Sequence, residues 1–206
     1  MFSSISAVKI NPMTTSKKNI CAIILAAGES RRFGNKNKLL VTLDGKPLLE
    51  RVVLAVTESE VSHVIAVTGC DCENVKVLLS GYDVEFVDNE RWREGMGTSL
   101  ACGAEAVSKD QYNGILVCLG DLPFLEAATV NQVIKAFVDN GSQWIVVPEY
   151  EGKGGHPVLF PANYISRLEK MRGDQGAKSI IRESDPIVLD VGSKEIIRDV
   201  DRQADF

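Results

Sequence analysis

The sequence lacks several features that would assign it to a common class. No uninterrupted apolar run approaches the ~20 residues of a membrane-spanning helix, so we expect no membrane segment. Its five cysteines include no C-x-x-C pair, and the closest two, Cys70 and Cys72, have the wrong spacing for a zinc or redox pair. An odd number of cysteines, three of them in or beside apolar runs, is typical of core residues in a reducing compartment, and we expect a cytoplasmic protein.

Excess positive charge is also absent. The formal net charge is −5, which argues against general nucleic-acid binding. A chain of 206 residues with 45% hydrophobic and 25% charged residues fits one globular domain. Residues 1–18 are rich in Ser, Thr and Lys and lack the apolar centre of a secretory signal, so we expect a flexible N-terminal tail followed by a single domain over residues 19–206.

What the sequence does contain is an alternation of predicted strands and helices. The predicted strands are residues 20–25, 63–67, 83–87, 115–119 and 144–147. Apolar residues at helical spacing lie between several of them, with Pro47 predicted at the first position of one helix and Asp71 as the cap of the next. At least four strand-helix alternations predict a three-layer α/β fold with a mostly parallel, Rossmann-like sheet.

The segment after the first strand combines small residues with cations. Ala26, Ala27 and Gly28 carry almost no side chain, so a ligand could take hydrogen bonds from the main chain there. Four cations follow within eight residues, namely Arg31, Arg32, Lys36 and Lys38. This pattern predicts a phosphate site, although it matches neither the Walker spacing nor the G-x-G-x-x-G fingerprint. A basic surface loop without a ligand is the alternative.

A carboxylate follows the predicted strand at residues 115–119, in the sequence Gly120-Asp121-Leu122-Pro123. Open α/β sheets bind ligands in a crevice at the carboxyl ends of parallel strands, so we expect Asp121 near the phosphate loop. A role in the turn is equally compatible with Asp before Leu-Pro.

Two further loops are candidates for ligand contact. Residues 88–100 are polar and glycine-containing, and a plain surface loop is the simplest interpretation. Residues 151–157 carry three glycines and could close over a substrate. His156 lies in this loop, and a single histidine in a loop is more often a hydrogen-bonding residue than a catalyst. His63, at the start of a predicted strand, is not part of any acidic or Cys motif and is interpreted as structural.

Residues 25–34 and the later Lys38-Leu39-Leu40 resemble the signature L-A-A-G-x-S-x-R-[FM]-G and Lys-Leu-Leu of the MobA-like nucleotidyltransferases of the molybdenum cofactor type. The spacer at residues 35–37 is one residue longer than in the family. Either Lys36 or Lys38 could therefore be the signature lysine, and we favour Lys38 because the leucine pair follows it. The resemblance covers about residues 20–206 and implies a nucleotidyltransferase fold of the glycosyltransferase-A-like type.

The resemblance also implies roles for individual residues. Catalysis would fall to Arg32, Lys38 and Asp121, with Mg²⁺ held by Asp121 and Asp201. The implied nucleotide-binding residues are Leu25, Ala26, Ala27, Gly28, Glu29, Ser30, Lys38, Asn89, Gly95, Met96, Ser99 and Asp121. The implied acceptor-binding residues are Gly155, His156, Pro157, Asp174 and Gly176.

Two positions favour one branch of the family. Gly-His-Pro at residues 155–157 resembles the cytidylyl branch, and the guanylyl branch has Gly where this chain has Ala27. The resemblance therefore implies Mg²⁺-dependent transfer of CMP from CTP to the terminal phosphate of molybdopterin, with release of pyrophosphate. The alternatives are transfer to a sugar or polyol phosphate, or a non-catalytic accessory protein that delivers the cofactor to a molybdenum hydroxylase.

Overall fold

A computed structural model describes residues 19–29, 37–174 and 176–200. The strands are β1 Ile20–Ala26, β2 Thr42–Leu43, β3 Lys46–Pro47, β4 His63–Thr68, β5 Glu85–Asp88, β6 Gly114–Leu119, β7 Val146–Tyr150, β8 Lys153–Gly154, β9 Val158–Pro161 and β10 Ile187–Asp190. The α-helices are α1 Leu48–Thr57, α2 Cys72–Leu79, α3 Met96–Ala106, α4 Ala127–Asp139, α5 Ile165–Leu168 and α6 Lys178–Arg182. The predicted tail, residues 1–18, lies outside the described residues.

Strand β1 occupies the interior of the main sheet, whose order is β10-β7-β9-β6-β1-β4-β5, with β8 added beside β7. All seven residues of β1 are buried, as its continuous apolar sequence predicts. It pairs in parallel with β4 and with β6, and Leu25 lies opposite Leu119. Strand β9 is antiparallel to both of its neighbours, β6 and β7. The predicted mostly parallel α/β sheet is confirmed, and β1 and β6 end side by side.

Helices cover both faces of this sheet. Alternate β1 residues such as Ala22 and Ile24 face one core, which also contains apolar side chains of α1, α2 and α4. Ile23 and Leu25 face the other, built with α3, α5 and α6. These are the three layers that the alternation predicts. Within the described residues, no helix has both the length and the apolar character needed to cross a bilayer.

Some local expectations are wrong in detail. Asp71 precedes α2 but makes no side-chain cap, because its backbone is left-handed at φ 63 and its Oδ1 accepts a hydrogen bond from Asn74 Nδ2 at 2.6 Å. Pro47 ends β3 immediately before α1 rather than opening the helix. Trp144 is half exposed, and the strand predicted from it begins at Val146.

His63 has a partner that its neighbours in the sequence do not reveal. Its Nε2 lies 2.8 Å from Glu85 Oε2 on the adjacent strand β5. This pair joins the exposed ends of two parallel strands, which agrees with a structural role for His63.

Candidate active site

The parallel register brings two loops together where β1 and β6 end. The Gly120 N–H donates to the Leu25 carbonyl at 3.0 Å, which carries the pairing one residue past β6. A Cβ at position 120 would lie 3.0 Å from that same oxygen and from Leu49 Cδ1, so glycine fits this crossing. Asp121 therefore emerges beside Ala27 and Gly28, as the strand-end rule predicts.

Asp121 forms an ion pair with Lys38. Lys38 Nζ lies 2.7 Å from Asp121 Oδ2, and the two side chains are 13% and 22% exposed. Lys38 opens a short 3₁₀ helix, Lys38–Leu40, whose start is capped by Asn37 Oδ1 accepting from the Leu39 N–H at 3.1 Å. Partial burial reduces solvent screening, so each charge holds the other in place.

The second carboxylate oxygen of Asp121 is available for a ligand. Asp121 Oδ1 is buried and has no hydrogen-bond partner in the described part of the chain. Buried polar atoms are normally satisfied, and a carboxylate oxygen is the donor that Mg²⁺ prefers. Across residues 19–29, 37–174 and 176–200, no three acidic, His or Cys side chains gather into a complete metal site. Mg²⁺ is commonly held by one or two carboxylates together with substrate phosphates.

Three of the predicted site residues cannot be placed. Ser30, Arg32 and Asp201 lie outside the described residues. Their assigned roles, in nucleotide binding, catalysis and metal binding, stay predictions.

A cavity of about 420 Å³ opens beside the Lys38–Asp121 pair. Its volume is within the range of small-molecule sites. Most of the predicted nucleotide-binding residues line it, and they are Leu25, Ala27, Gly28, Glu29, Lys38, Gly95, Met96, Ser99 and Asp121. The small residues after β1 and the Asp121 carboxylate thus border one space.

Two predicted nucleotide-binding residues lie behind this cavity instead. Ala26 is fully buried in β1. Asn89 is 5% exposed and its Nδ2 donates to Thr98 Oγ1 and to Ser99 Oγ, each at 3.0 Å. Asn89 Oδ1 in turn accepts from the Arg91 N–H at 2.9 Å. The structure therefore places Asn89 as a support for the start of α3, where it orients Ser99.

Gly95 allows the start of α3 to approach another loop. Its φ is 113, and a Cβ there would lie 2.4 Å from the backbone carbon of Gly173 and 2.5 Å from Asp174 Oδ1. The Gly97 N–H donates to the Gly173 carbonyl at 2.7 Å. This close contact brings Asp174, a predicted acceptor residue, onto the wall of the cavity.

A smaller cavity of about 60 Å³ adjoins the first and shares Leu25, Met96 and Leu119 with it. His156 and Gly176, both predicted acceptor residues, line it. His156 Nδ1 lies 3.3 Å from the Val117 carbonyl oxygen. Burial lowers the pKa of His156 below its ordinary value, so its imidazole is neutral near pH 7.

The other two residues of the Gly-His-Pro motif do not reach either cavity. Gly155 donates its N–H to the Pro148 carbonyl at 2.8 Å, and a Cβ at this position would lie 2.4 Å from the Ile196 carbonyl oxygen. The His156 N–H donates to that Ile196 oxygen at 2.9 Å. Pro157 is buried. Gly155 thus permits the packing that orients His156.

Several lining residues were not singled out in the sequence. The larger cavity also includes Leu39, Trp92, Arg93 and Leu119, and the smaller one includes Lys178. The Arg93 guanidinium lies 4.1 Å from the Trp92 ring centre. Trp92 and Arg93 lie in a polar loop whose sequence has neither helical nor strand periodicity. No local pattern therefore indicates that they line a cavity. Lys178 had a signal in the sequence: residues 173–178 resemble an element G-D-x-G-[AL]-[RK] of the same nucleotidyltransferases, and Lys178 fills its last position.

Residues 22–187 match the family described as the MobA-like NTP transferase domain. The chain belongs to this family. It is accordingly a nucleotidyltransferase, and members of the family typically depend on a divalent metal. The match includes residues 22–26 of β1, the Lys38–Asp121 pair and the residues that line both cavities.

Individual relatives agree with this membership. The chain is 34% identical over 135 residues to the bifunctional protein GlmU of Rhizobium johnstonii, which is 64% of this chain and 29% of that protein. The transferase therefore spans under a third of that relative. Rv0371c of Mycobacterium tuberculosis has a crystal structure with a TM-score of 0.79 at 24% identity, covering 92% of this chain and 96% of that chain. A manganese complex of Rv0371c gives a TM-score of 0.69 at 24% identity over 85% and 89% of the two chains.

Proposed function

We propose that this nucleotidyltransferase transfers CMP from CTP to the terminal phosphate of molybdopterin. The observation that carries the proposal is the shared cavity, in which the small residues after β1 face the Lys38–Asp121 pair. A triphosphate placed there would meet main-chain N–H groups on one side and a cation and a metal-binding carboxylate on the other. The preference for CTP rests on Ala27 and the Gly-His-Pro sequence at residues 155–157.

In this reaction an oxygen of the acceptor phosphate bonds to the α-phosphorus of CTP, and the bond to pyrophosphate breaks. The protein would bring the anionic groups together and stabilise the charge on the leaving group. Lys38 Nζ lies 2.7 Å from the Asp121 carboxylate, which would receive Mg²⁺. The Lys38 side chain can therefore move from Asp121 to phosphates that are bound beside it. When bound, Mg²⁺ would neutralise phosphate charge and favour departure of pyrophosphate.

The acceptor is proposed to bind in the part of the larger cavity that adjoins the smaller one, because about 60 Å³ is too small to enclose it. Lys178 supplies a cation to a wall that is otherwise mostly apolar, which suits an acceptor with a phosphate attached to an organic ring system. His156 is neutral and offers a hydrogen bond without adding charge. Met96 lines both cavities, and Asp174 lines the larger one.

An assay with α-labelled nucleotide tests the proposal. The purified protein is incubated with Mg²⁺, labelled CTP and molybdopterin, and labelled dinucleotide product and pyrophosphate are measured. Parallel reactions replace CTP with GTP, ATP or UTP, or replace molybdopterin with a sugar phosphate or a polyol phosphate. We expect product from CTP and molybdopterin.

Each other outcome contradicts a defined part of the proposal. Faster turnover with another acceptor would overturn molybdopterin as the substrate. Faster turnover with GTP would overturn the base preference. Tight binding of CTP or cofactor without pyrophosphate release would indicate a carrier that delivers cofactor to a molybdenum hydroxylase.

A further inference from the structure

The two charged residues at the centre of the site come from segments far apart in the sequence. Lys38 and Asp121 are separated by 83 positions; Lys38 opens a short 3₁₀ helix and Asp121 lies in the loop after β6, both outside the main sheet. Their own ion pair fixes their spacing at rest. A bound triphosphate and metal would compete for both charges and weaken that pair. Some other contact has to keep the two loops in register during the reaction.

Arg51, on the first turn of α1, makes such a contact. Its Nε donates to the Pro123 carbonyl at 3.0 Å, and its Nη1 donates to the Leu43 carbonyl at 3.2 Å. Pro123 comes two residues after Asp121, and Leu43 comes five residues after Lys38. One guanidinium therefore joins the loop of the carboxylate to the hairpin that follows the lysine.

Arg51 projects from a helix that is packed firmly against the core. Helix α1 is fixed to the core by fully buried side chains, including Leu49, Val52 and Val53 on either side of Arg51. The Leu48 N–H donates to the Val41 carbonyl at 3.0 Å, which ties the start of the helix to the same hairpin. The Arg51 side chain is 28% exposed.

The residue type suits this role. An arginine is always charged and presents several N–H donors in a fixed planar arrangement, so it can satisfy two carbonyls at once. Lysine offers a single nitrogen and cannot reproduce both contacts with the same geometry. Arg51 borders a separate cavity of about 650 Å³ behind the Asp121 loop and does not line the proposed nucleotide cavity.

We propose that Arg51 is a positioning residue that holds Lys38 and Asp121 at the spacing needed for nucleotidyl transfer. The kinetic part of this inference depends on the proposed function. Its geometric part concerns the Lys38–Asp121 distance and does not.

The test compares Arg51→Met, Arg51→Lys and a control, Arg167→Met. Arg167 pairs with Glu183 and lies against the Tyr164 ring, remote from both loops. We expect Arg51→Met to lower kcat about thirtyfold with less than a threefold change in the KM for CTP, because misplacement of a catalytic group by about 1 Å can cost up to 10²-fold. Arg51→Lys should recover part of the loss, and Arg167→Met should keep the original kcat.

A double-mutant cycle separates positioning from general destabilisation. If Arg51 acts by setting the Lys38–Asp121 spacing, then adding Arg51→Met to a Lys38→Met background should cost less than tenfold in kcat, since one of the two positioned groups is already gone. The full thirtyfold loss in that background would overturn the proposal.

A crystal structure of Arg51→Met tests the geometric part of the inference, even if the wild-type protein shows no transfer with any nucleotide and acceptor. That result would remove the proposed function and leave the geometric inference open to direct measurement. We expect Lys38 Nζ and Asp121 Oδ2 to separate beyond the ~4 Å of an ion pair, or the two loops to lose order. An unchanged distance of 2.7 Å would overturn the inference.

Discussion

The two sides of the candidate site are built in different ways. On the strand-end side, the loops of Gly28 and Asp121 follow neighbouring parallel strands whose register sets their relative position. On the acceptor side, His156 and Asp174 lie in irregular segments that are held by close backbone contacts at Gly155 and Gly95. The first side therefore depends on the core of the sheet, while the second depends on a few places where a side chain would not fit.

The largest effect is expected at the strand-end side, from Asp121→Asn. An amide cannot hold Mg²⁺ as a carboxylate does and cannot pair with the Lys38 charge. We expect kcat to fall about a thousandfold, which corresponds to roughly 4 kcal/mol of transition-state stabilisation. Steady-state assays measure the change, and circular dichroism checks the fold. Asp110→Asn, at an exposed position, is the matched control, and a variant at position 121 with near-normal turnover would contradict the role of that carboxylate.

A smaller effect is expected on the acceptor side from Gly95→Ala. The new methyl group would lie 2.4 Å from the Gly173 backbone, at a φ of 113 that alanine rarely adopts. We expect a loss of about 1–3 kcal/mol in the free energy of unfolding and about a tenfold rise in the KM for the acceptor, because the loop of Asp174 has to move.

Urea unfolding and steady-state kinetics measure both changes. Gly81→Ala is the control, since a Cβ there meets no heavy atom within 4 Å among the described residues. If both alanine variants show the same free energy of unfolding and the same KM for the acceptor, the close approach at Gly95 contributes to neither.

The smallest effect is expected from the pH dependence of stability at His156. Burial lowers the pKa of His156 in the folded protein below its ordinary value near 6.5. The unfolded chain then binds more protons as the pH falls below 6.5, so acid destabilises the folded state through this group. The His156→Gln variant should lose less thermal stability between pH 7 and pH 5.5 than the wild-type protein. Melting curves of the wild-type protein and the His156→Gln variant at both pH values measure the difference. Identical losses in the two proteins would contradict the buried, neutral imidazole.

The strand-end side could be predicted from the sequence because its signals are local. Continuous apolar runs identify β1 and β6, and the residues that follow such strands are known to meet at one edge of a sheet. Asp121 and Gly28 could therefore be placed near one another without any knowledge of the distant contacts. The choice of Lys38 over Lys36 as the signature lysine rests on the leucine pair and stays a prediction, since Lys36 lies outside the described residues.

The remaining features could not be predicted because they depend on contacts between distant segments. Nothing near Arg51 in the sequence indicates that it bonds to carbonyls at positions 43 and 123. Asn89 matched a ligand-binding pattern, yet its amide is satisfied by Thr98 and Ser99. Asp71 has the residue type of a helix cap, but its left-handed backbone directs the carboxylate elsewhere.

The hydrogen bond from the His156 N–H to the Ile196 carbonyl has a consequence for biosynthesis. The ribosome makes residues 194–197 some forty positions after it has made His156, and the family match ends before them, at residue 187. A nascent chain can assemble β1, β6 and the Asp121 loop earlier, since domains begin to fold from the N-terminal side during translation. The acceptor side, in contrast, cannot form until residues 194–197 have been made. A polypeptide shortened to the boundary of the family match would keep the strand ends and the His156–Val117 contact, and would lose the hydrogen bond from the His156 N–H.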